Sequence, residues 1–345
     1  MNRFWTSSAF LLVLSLVLVP TASAHTPIGP GNNESLASAT VIPNSAKSWA
    51  VYAELHTGGE AQYYRFDATK GETVPIQLYT SPSKQDAGFV PSFVLMGPGI
   101  PNQGSIPSYV EKPAGAGYLV VPGAKPAQAT YEAFVPSVFV QVAELSFVAP
   151  ADGTYYVAVF NDTRGGHYGV AIGSAETFTP YQWISGPFAY PSIYVWEGQN
   201  LLLVYLPAFL VFAIGIGWLV RRQRRGQSLD LVGWLAAIAG LLFLGTGATV
   251  ATQSIFALLR STPDALLVAT VLFAALPIVL GVLTLRLAIR SSGRWTVRSR
   301  IYLALLGVLA IIFWAGWLVG SGIAIVAALI PSRGAEKPPE GPDTP

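Results

Sequence analysis

The residues best suited to chemistry in this 345-residue chain are its three histidines, His25, His56 and His167. If a signal peptidase cuts after Ala24, His25 becomes the first residue of the mature protein and offers both its α-amine and its imidazole to one metal ion. A second histidine would complete a set of three nitrogen ligands, which suits Cu(II). We expect His56, at the end of a predicted strand, to be that ligand, with His167 as the alternative. The pattern predicts a copper site, whereas the simpler interpretation is that the histidines are ordinary polar residues of a binding domain.

Other catalytic and cofactor chemistry finds no support in the sequence. The chain has no cysteine, which excludes disulfides and thiolate metal sites. It has no Ser/His/Asp order, phosphate-binding glycine loop or dinucleotide-binding motif. Asp67, Glu72 and Asp152 could ligate Ca²⁺, but they lack the spacing of a calcium-binding loop and are interpreted as solvated turn residues. We therefore predict no catalytic residues and expect a protein that is not an enzyme.

The first 24 residues have the three parts of a signal peptide. Arg3 supplies the positive start, Phe10–Val19 is a short apolar core, and small residues occupy the cleavage positions in Ala22-Ser23-Ala24. The apolar stretch is too short to span a bilayer comfortably, and Pro20 ends it. We predict cleavage after Ala24, which would place the following domain outside the cytoplasm.

Residues 25–198 show a pattern of short strands and turns. The predicted strands are Ser48–Leu55, Ala61–Asp67, Thr73–Thr80, Phe89–Met96, Gly117–Val121, Val138–Val148, Thr154–Phe160 and His167–Ile172. Tyr155–Phe160 is apolar on both faces, which is typical of a strand in the middle of a sandwich. The segment Gly97–Pro136 is rich in glycine and proline and is expected to form long loops. Together these features predict an all-β sandwich or jelly roll.

Parts of this domain carry a recognisable set of motifs. They are Asn33-Glu34-Ser35, the run GEAQYYRF from Gly59, the run APADGTYYVAV from Ala149 and the run GHYGVAI from Gly166. In these stretches the chain resembles the bacterial pre-peptidase C-terminal (PPC) domain, a small β-sandwich attached to secreted peptidases and surface proteins. The resemblance implies a sandwich that assists binding or secretion and is not catalytic. The chain departs from that family in an insertion around residues 81–145 and in its membrane region.

Four apolar segments follow within residues 199–330. They are Leu201–Val220, Leu231–Thr252, Ala265–Ile289 and Ile301–Ile330. Each is long enough to cross about 30 Å of hydrocarbon at 1.5 Å per residue, and the last must tilt. The sequence therefore predicts a bundle of four transmembrane helices.

Ionisable residues are scarce in this region. Between Leu231 and Thr284 there is no Asp, Glu, Lys or His other than Asp264. Ion-coupled and proton-coupled transporters place such groups at membrane depth. A small membrane transporter is therefore the least favoured function.

Charge predicts the orientation of the bundle. Residues 25–198 contain 13 acidic and 7 basic residues, a net charge of −6, whereas residues 199–330 contain 10 Arg and no Lys. Nine of these arginines lie in or beside two of the loops: Arg221, Arg222, Arg224, Arg225, Arg286, Arg290, Arg294, Arg298 and Arg300. Because cytoplasmic loops carry the excess of Lys and Arg, both loops are predicted to be cytoplasmic. Four crossings would then place the polar tail, residues 331–345, outside with the β-domain, as a disordered segment.

Two further features concern contacts of the membrane region. Gly316 and Gly320 form a GxxxG pair that lets helices approach closely, within the chain or with partner membrane helices. Aromatic residues from Phe178 to Trp196 precede the first span and fit an interfacial belt that docks the domain on the lipid bilayer.

These features favour a multi-pass protein of a prokaryotic cytoplasmic membrane, since an ectodomain without cysteine is typical of prokaryotes. The expected function is an extracytoplasmic binding or accessory module. Copper binding through His25 is the alternative. A nucleic-acid partner is excluded, because the arginines flank apolar runs and do not form a basic soluble face.

Overall fold

The computed structural model describes residues 25–125, 128–262 and 267–331. The predicted signal peptide, Asp264 and residues 332–345 lie outside the described residues. The chain divides into two compact units, Met1–Pro207 with Thr249–Ala274, and Ala208–Ala248 with Ala275–Pro345. The first unit therefore contains the β-domain together with the ends of several apolar helices.

The strands of the first unit form two sheets. They are β1 (Thr26–Ile28), β2 (Thr40–Val41), β3 (Trp49–Leu55), β4 (Glu60–Ala68), β5 (Thr73–Thr80), β6 (Ser92–Gly97), β7 (Gly117–Val121), β8 (Thr130–Glu132), β9 (Ser137–Val148), β10 (Gly153–Asn161) and β11 (Gly166–Ile172). Sheet A has the order β1-β3-β11-β5-β9-β8 and sheet B the order β2-β4-β10-β6-β7. Among the described strands, β1 pairs with β3 and β2 with β4 in parallel, and the other strand pairs are antiparallel. The predicted β-rich fold with two sheets is confirmed.

The main core lies between the two sheets. Tyr155, Val157 and Val159 of β10 point into it, whereas Ala158 and Phe160 of the same strand belong to a second buried cluster on the outer face of sheet B. β10 is apolar on both faces because both of its faces are buried, as the sequence predicted.

The outer face of sheet B is covered by the segment between β6 and β7. Val110 is buried in the second cluster, and Ile106 and Tyr109 pack against it. The hydroxyl of Tyr63 accepts a hydrogen bond of 2.7 Å from the amide of Glu111, which ties the segment to the sheet. The predicted loop region 97–136 thus packs on the sandwich, and it also contains β7 and the short strand β8.

The helices follow the β-domain in sequence. They are α1 (Pro180–Trp196), α2 (Leu201–Arg224), α3 (Leu231–Leu258), α4 (Leu267–Ser291), α5 (Val297–Ile312), a 3₁₀ turn (Ala315–Leu318) and α6 (Val319–Leu329). With 24, 28 and 25 residues, α2, α3 and α4 are long and apolar enough to cross a membrane.

The predicted fourth span, Ile301–Ile330, is not one helix. α5 and α6 are bent by 119° at a short break. Within the break Trp314, Gly316, Trp317 and Leu318 all have positive φ, a left-handed run that a right-handed helix cannot continue through. The described residues thus contain three helices long and apolar enough to span a membrane, or up to four if the bent pair is one span. Hydropathy measured the apolar length correctly, but it carries no information on where the backbone reverses.

Candidate functional site

His25 lies at the edge of sheet A, directly before β1. Its Nδ1 is 2.5 Å from Oγ of Ser48. The parallel pairing of Thr26 with Trp49 places His25 level with Ser48, just before β3 begins. Burial lowers the pKa of the His25 imidazole, and Glu176 partly opposes that effect. The imidazole is therefore neutral at neutral pH, the form in which it could ligate a metal.

His56 lies at the other end of β3. It follows Leu55, and its amide donates a hydrogen bond of 2.6 Å to Oε2 of Glu60. His56 is eight positions after Ser48, which corresponds to about 26 Å of extended strand. His25 and His56 therefore lie at opposite ends of β3 in this structure, and their pairing as ligands of one ion stays a prediction.

His167 does not reach His25 either. It lies in β11 directly opposite Glu54 of β3, and Glu54 is six residues, or about 20 Å, from the position of Ser48. Among the described residues no three His, Asp or Glu side chains are grouped so that they could hold a metal ion. The register of β3 separates the histidines, so copper binding stays a prediction without a shared site.

The structure instead brings His167 to two carboxylates. Its Nδ1 is 3.1 Å from Oδ2 and 3.2 Å from Oδ1 of Asp86, and its Nε2 is 3.6 Å from Oε2 of Glu54. The two ring nitrogens face different carboxylates, so one ion could not take both carboxylates and the imidazole. The arrangement joins sheet A to the loop between β5 and β6.

Asp86 holds that loop in place. It is 4% exposed and accepts hydrogen bonds from the amide of His167 at 3.0 Å and from Oγ of Ser83 at 2.6 Å. Arg164 donates to the carbonyls of Ala87 at 2.7 Å and Gln85 at 3.0 Å in the same loop. Ser83 bonds to the aspartate and not to the histidine, which is not the order of a nucleophilic triad. The cluster therefore positions the loop.

Helix α1 packs on the outer face of sheet A. The indole nitrogen of Trp196 donates 3.0 Å to the carbonyl of Tyr168, and its ring meets those of Tyr52 at 5.2 Å and Tyr79 at 6.1 Å. Tyr194 is buried as well. These two C-terminal aromatics of the predicted interfacial belt thus belong to the interior of the first unit.

The opposite side of α1 is an exposed apolar stripe. Tyr181, Ile184, Phe188 and Val195 are 77%, 54%, 62% and 51% exposed. At 3.6 residues per turn they fall within about 60° of the helix circumference. The whole of α1 has no charged residue. This stripe is the part of the predicted belt that is available to lipid.

The hairpin of β8 and β9 packs on the ends of α3 and α4, within the first unit. Tyr131, Ala133 and Val138 form one buried cluster with Ala257 of α3. The hydroxyl of Tyr131 donates a hydrogen bond of 2.9 Å to Oγ1 of Thr270 in α4. The hydroxyl of Thr270 in turn donates a hydrogen bond of 2.7 Å to the carbonyl of Ala133. We call this Tyr131–Thr270–Ala133 chain of hydrogen bonds the docking relay.

A buried carboxylate lies beside the docking relay. Glu197, between α1 and α2, is 3% exposed and accepts 2.5 Å hydrogen bonds from the amide of Val138 and from Nε2 of Gln199. Burial raises its pKa, while these hydrogen bonds and Arg260 partly offset the rise. A raised carboxyl pKa means that the folded state binds the proton more tightly than the unfolded state. Its contribution to stability is therefore full below the ordinary pKa and is lost as the pH rises through the folded value.

Sequence reasoning missed the docking relay, Glu197 and the role of Asp86. The relay joins residues 139 positions apart, and Asp86 lies 81 positions from His167. One signal was present: Tyr131 and Phe134 are aromatic residues inside a segment otherwise rich in glycine and proline. Such residues in an extended loop need a surface to pack on.

Comparison with known proteins gives distant likeness only. No protein-family model and no curated protein matches the chain. Among solved structures, the chain is similar to the pre-peptidase C-terminal domain of a Bacillus anthracis collagenase, with 18% identity and a TM-score of 0.22, over 39% of this chain and 93% of that one. It is also similar to the copper-binding secreted protein MopE of Methylococcus capsulatus, with 13% identity and a TM-score of 0.17, over 33% of this chain and 70% of that one. Neither likeness identifies a function of this chain.

Proposed function

We propose that this protein is a membrane-anchored accessory module that holds a β-sandwich at a fixed position on its own helices and presents it to a binding partner outside the cytoplasm. The observation that carries the proposal is the docking relay. A domain that is only tethered needs no buried contact with its anchor. Here Tyr131 and Thr270 are 4% and 1% exposed and are joined through hydroxyl groups.

The link between α1 and α2 supports the same view. Only four residues, 197–200, separate the two helices, and Glu197 among them is buried and bonded to β9. Since short, bonded connections restrict motion, the sandwich keeps one orientation relative to the start of α2. A rigid mount of this kind suits a module that offers one particular face to a partner.

The surface that would bind the partner is on the outer side of sheet B, because α1 packs on the outer face of sheet A. Three segments meet there: the amide of Leu36 donates 2.9 Å to Oε2 of Glu111, and the hydroxyl of Tyr109 donates 2.5 Å to Oδ1 of Asp162. Glu34 is exposed two residues before Leu36 in the first of these segments, and we call the three carboxylates the acidic loop surface (Glu34, Glu111 and Asp162). A partner with a basic surface fits this charge.

The docked arrangement can be tested with an engineered disulfide, because the chain has no cysteine of its own. Ala133→Cys with Thr270→Cys joins two positions that the 2.7 Å hydrogen bond holds together. Ala133→Cys with Val271→Cys is the matched control, since Val271 is 56% exposed. Mild oxidation of the full-length protein in membranes should close the first pair and not the second. Equal rates for both pairs would show a loose tether and refute the fixed mount.

Binding can be tested by site-specific photo-crosslinking in the native membrane. A photo-reactive residue at Glu111 should give a discrete crosslinked species, with a yield that falls at high salt because the attraction is electrostatic. The same residue at Val148, which is 56% exposed outside the acidic loop surface, should give none. Absence of a species at Glu111, or equal species at both positions, would count against the proposed binding face.

A further inference from the structure

The two helices at the C-terminal end of the chain are short. α5 has 16 residues and α6 has 11, or about 24 Å and 17 Å at 1.5 Å per residue. The hydrocarbon core of a bilayer is about 30 Å thick. Neither helix can cross it alone, so their mutual arrangement decides the topology.

α5 and α6 fold back against each other. A Cβ added to Gly307 of α5 would lie 2.8 Å from Cγ1 of Ile325 and 3.2 Å from Cβ of Ala324 in α6, so the helices touch at this glycine. Nη1 of Arg300 donates to the carbonyl of Ala328 at 3.3 Å and also to that of Ile330. The last residues of α6 therefore lie beside the first turns of α5.

The turn between the two helices lies inside the second unit, against α3. The amide of Gly316 donates 2.7 Å to Oγ1 of Thr246, and a Cβ on Gly320 would lie 2.9 Å from Cε1 of Phe243. Thr246 is 16 residues, or about 24 Å, along α3 from Asp230 at its start. If α3 enters the hydrocarbon near Asp230, a depth of about 24 Å lies within the roughly 30 Å core and short of its far side.

The turn meets the condition for irregular backbone at membrane depth, which is tolerated only where protein surrounds it. Ala315 and Gly316 are buried. The amide of Trp317 donates a hydrogen bond of 3.0 Å to the carbonyl of Trp314. The hydroxyl of Ser321 donates a hydrogen bond of 3.2 Å to the carbonyl of Ala315. The broken ends of the helices thus find partners within the second unit.

The opposite end of this unit gathers the arginine-rich loops. Asp230, before α3, accepts hydrogen bonds of 3.1 Å from Oγ of Ser292, the amide of Gly293 and the indole nitrogen of Trp295. Burial acts to raise the pKa of Asp230, but the hydrogen bonds that it accepts outweigh burial and lower the pKa. An ionised Asp230 therefore joins the start of α3 to the segment between α4 and α5, and Arg300 then joins α5 to the end of α6.

From these contacts we propose that α5 and α6 form a re-entrant hairpin, that the chain crosses the membrane three times, and that its C-terminal tail lies on the same side as the arginine loops. This placement is opposite to the one that four crossings predicted. It also gives Gly316 and Gly320 a role within the chain, because both pack on α3. By the charge rule the tail is cytoplasmic.

Cysteine accessibility in right-side-out membrane vesicles tests the hairpin. Single-cysteine proteins are made with Ala335→Cys in the tail, Ser228→Cys in the first arginine loop and Thr57→Cys in the β-domain, and are treated with a membrane-impermeant maleimide. Before permeabilisation Thr57→Cys should react, whereas Ala335→Cys and Ser228→Cys should not. After permeabilisation all three should react. Reaction of Ala335→Cys together with Thr57→Cys would overturn the hairpin. A misfolded or mixed population would also change the reactions of Ser228→Cys and Thr57→Cys. These two reference positions therefore distinguish such a population from a real change in the position of the tail.

A distance measurement gives a second, independent reading. In a protein with Val297→Cys and Ile330→Cys, a short bis-maleimide should join the two cysteines, and mass spectrometry should show one reagent with both ends consumed. A continuous helical span would place residues 297 and 330 about 50 Å apart. In that case each cysteine would carry its own reagent, and the hairpin would be refuted.

Discussion

The docking relay offers the sharpest test of how the sandwich is held. Thr270→Val keeps the shape of the side chain but removes a hydroxyl that takes part in two buried hydrogen bonds, of 2.9 and 2.7 Å. Tyr131→Phe removes only the first. A net contribution of about 0.5–1.5 kcal/mol per hydrogen bond predicts a loss of about 1 kcal/mol for Tyr131→Phe and about 2 kcal/mol for Thr270→Val.

The double variant tests whether the side chains of Tyr131 and Thr270 interact directly. After Thr270→Val the hydroxyl of Tyr131 has lost its bond to Thr270, so removing it as well should cost less than it does in the parent. We expect a coupling free energy of about 1 kcal/mol between the two positions. Thr270→Ser retains the hydroxyl and should stay close to the parent, apart from the loss of one methyl group.

The assay is denaturant unfolding of the full-length protein in detergent, followed by near-ultraviolet circular dichroism of the sandwich aromatics. Midpoint shifts at constant slope give the free-energy differences. The reasoning is refuted if the two single variants add without coupling, or if Thr270→Val is no more destabilising than Tyr131→Phe.

Three further predictions follow from the first unit. Because the register separates His25 from His56, His56→Ala should leave any Cu(II) affinity of the processed protein unchanged in a calorimetric titration, and a loss of tenfold or more would restore the shared site. Since burial raises the pKa of Glu197, Glu197→Gln should weaken the fall in unfolding free energy as the pH rises above about 4.5, the ordinary value for this group. Identical pH profiles for parent and variant would exclude that effect. Ile184→Glu should lower binding of a fragment ending at residue 198 to lipid vesicles in a flotation assay, whereas Thr57→Glu, at an exposed position outside α1, should lower it less; equal losses would exclude the apolar stripe as the lipid contact.

The sequence alone was sufficient for the elements that depend on near neighbours. The strand Thr154–Phe160 was predicted from its apolar run, and β10 has its centre there. The apolar lengths of α2, α3 and α4 were predicted in the same way. Burial of a strand face or a helix surface depends on residues a few positions apart, so composition and spacing contain that information.

Contacts between distant residues followed only from the tertiary structure. The sequence placed three histidines in one domain, but the pairing of Thr26 with Trp49 and of His167 with Glu54 puts His25 at one end of β3 and the other two at the opposite end. A shift of register changes no composition or hydropathy. Residue types therefore suggested a metal site that the pairing of the strands does not assemble.

The membrane region shows the same division. An apolar stretch of 30 residues was visible in the sequence, and its length alone favoured one span. The left-handed turn from Trp314 to Leu318 divides it, and the contacts of Gly316 with Thr246 and of Arg300 with Ile330 fold it back. Hydropathy reports the transfer of a segment into lipid, which is equally favourable for a span and for a hairpin, so only packing and backbone hydrogen bonds decide between the two.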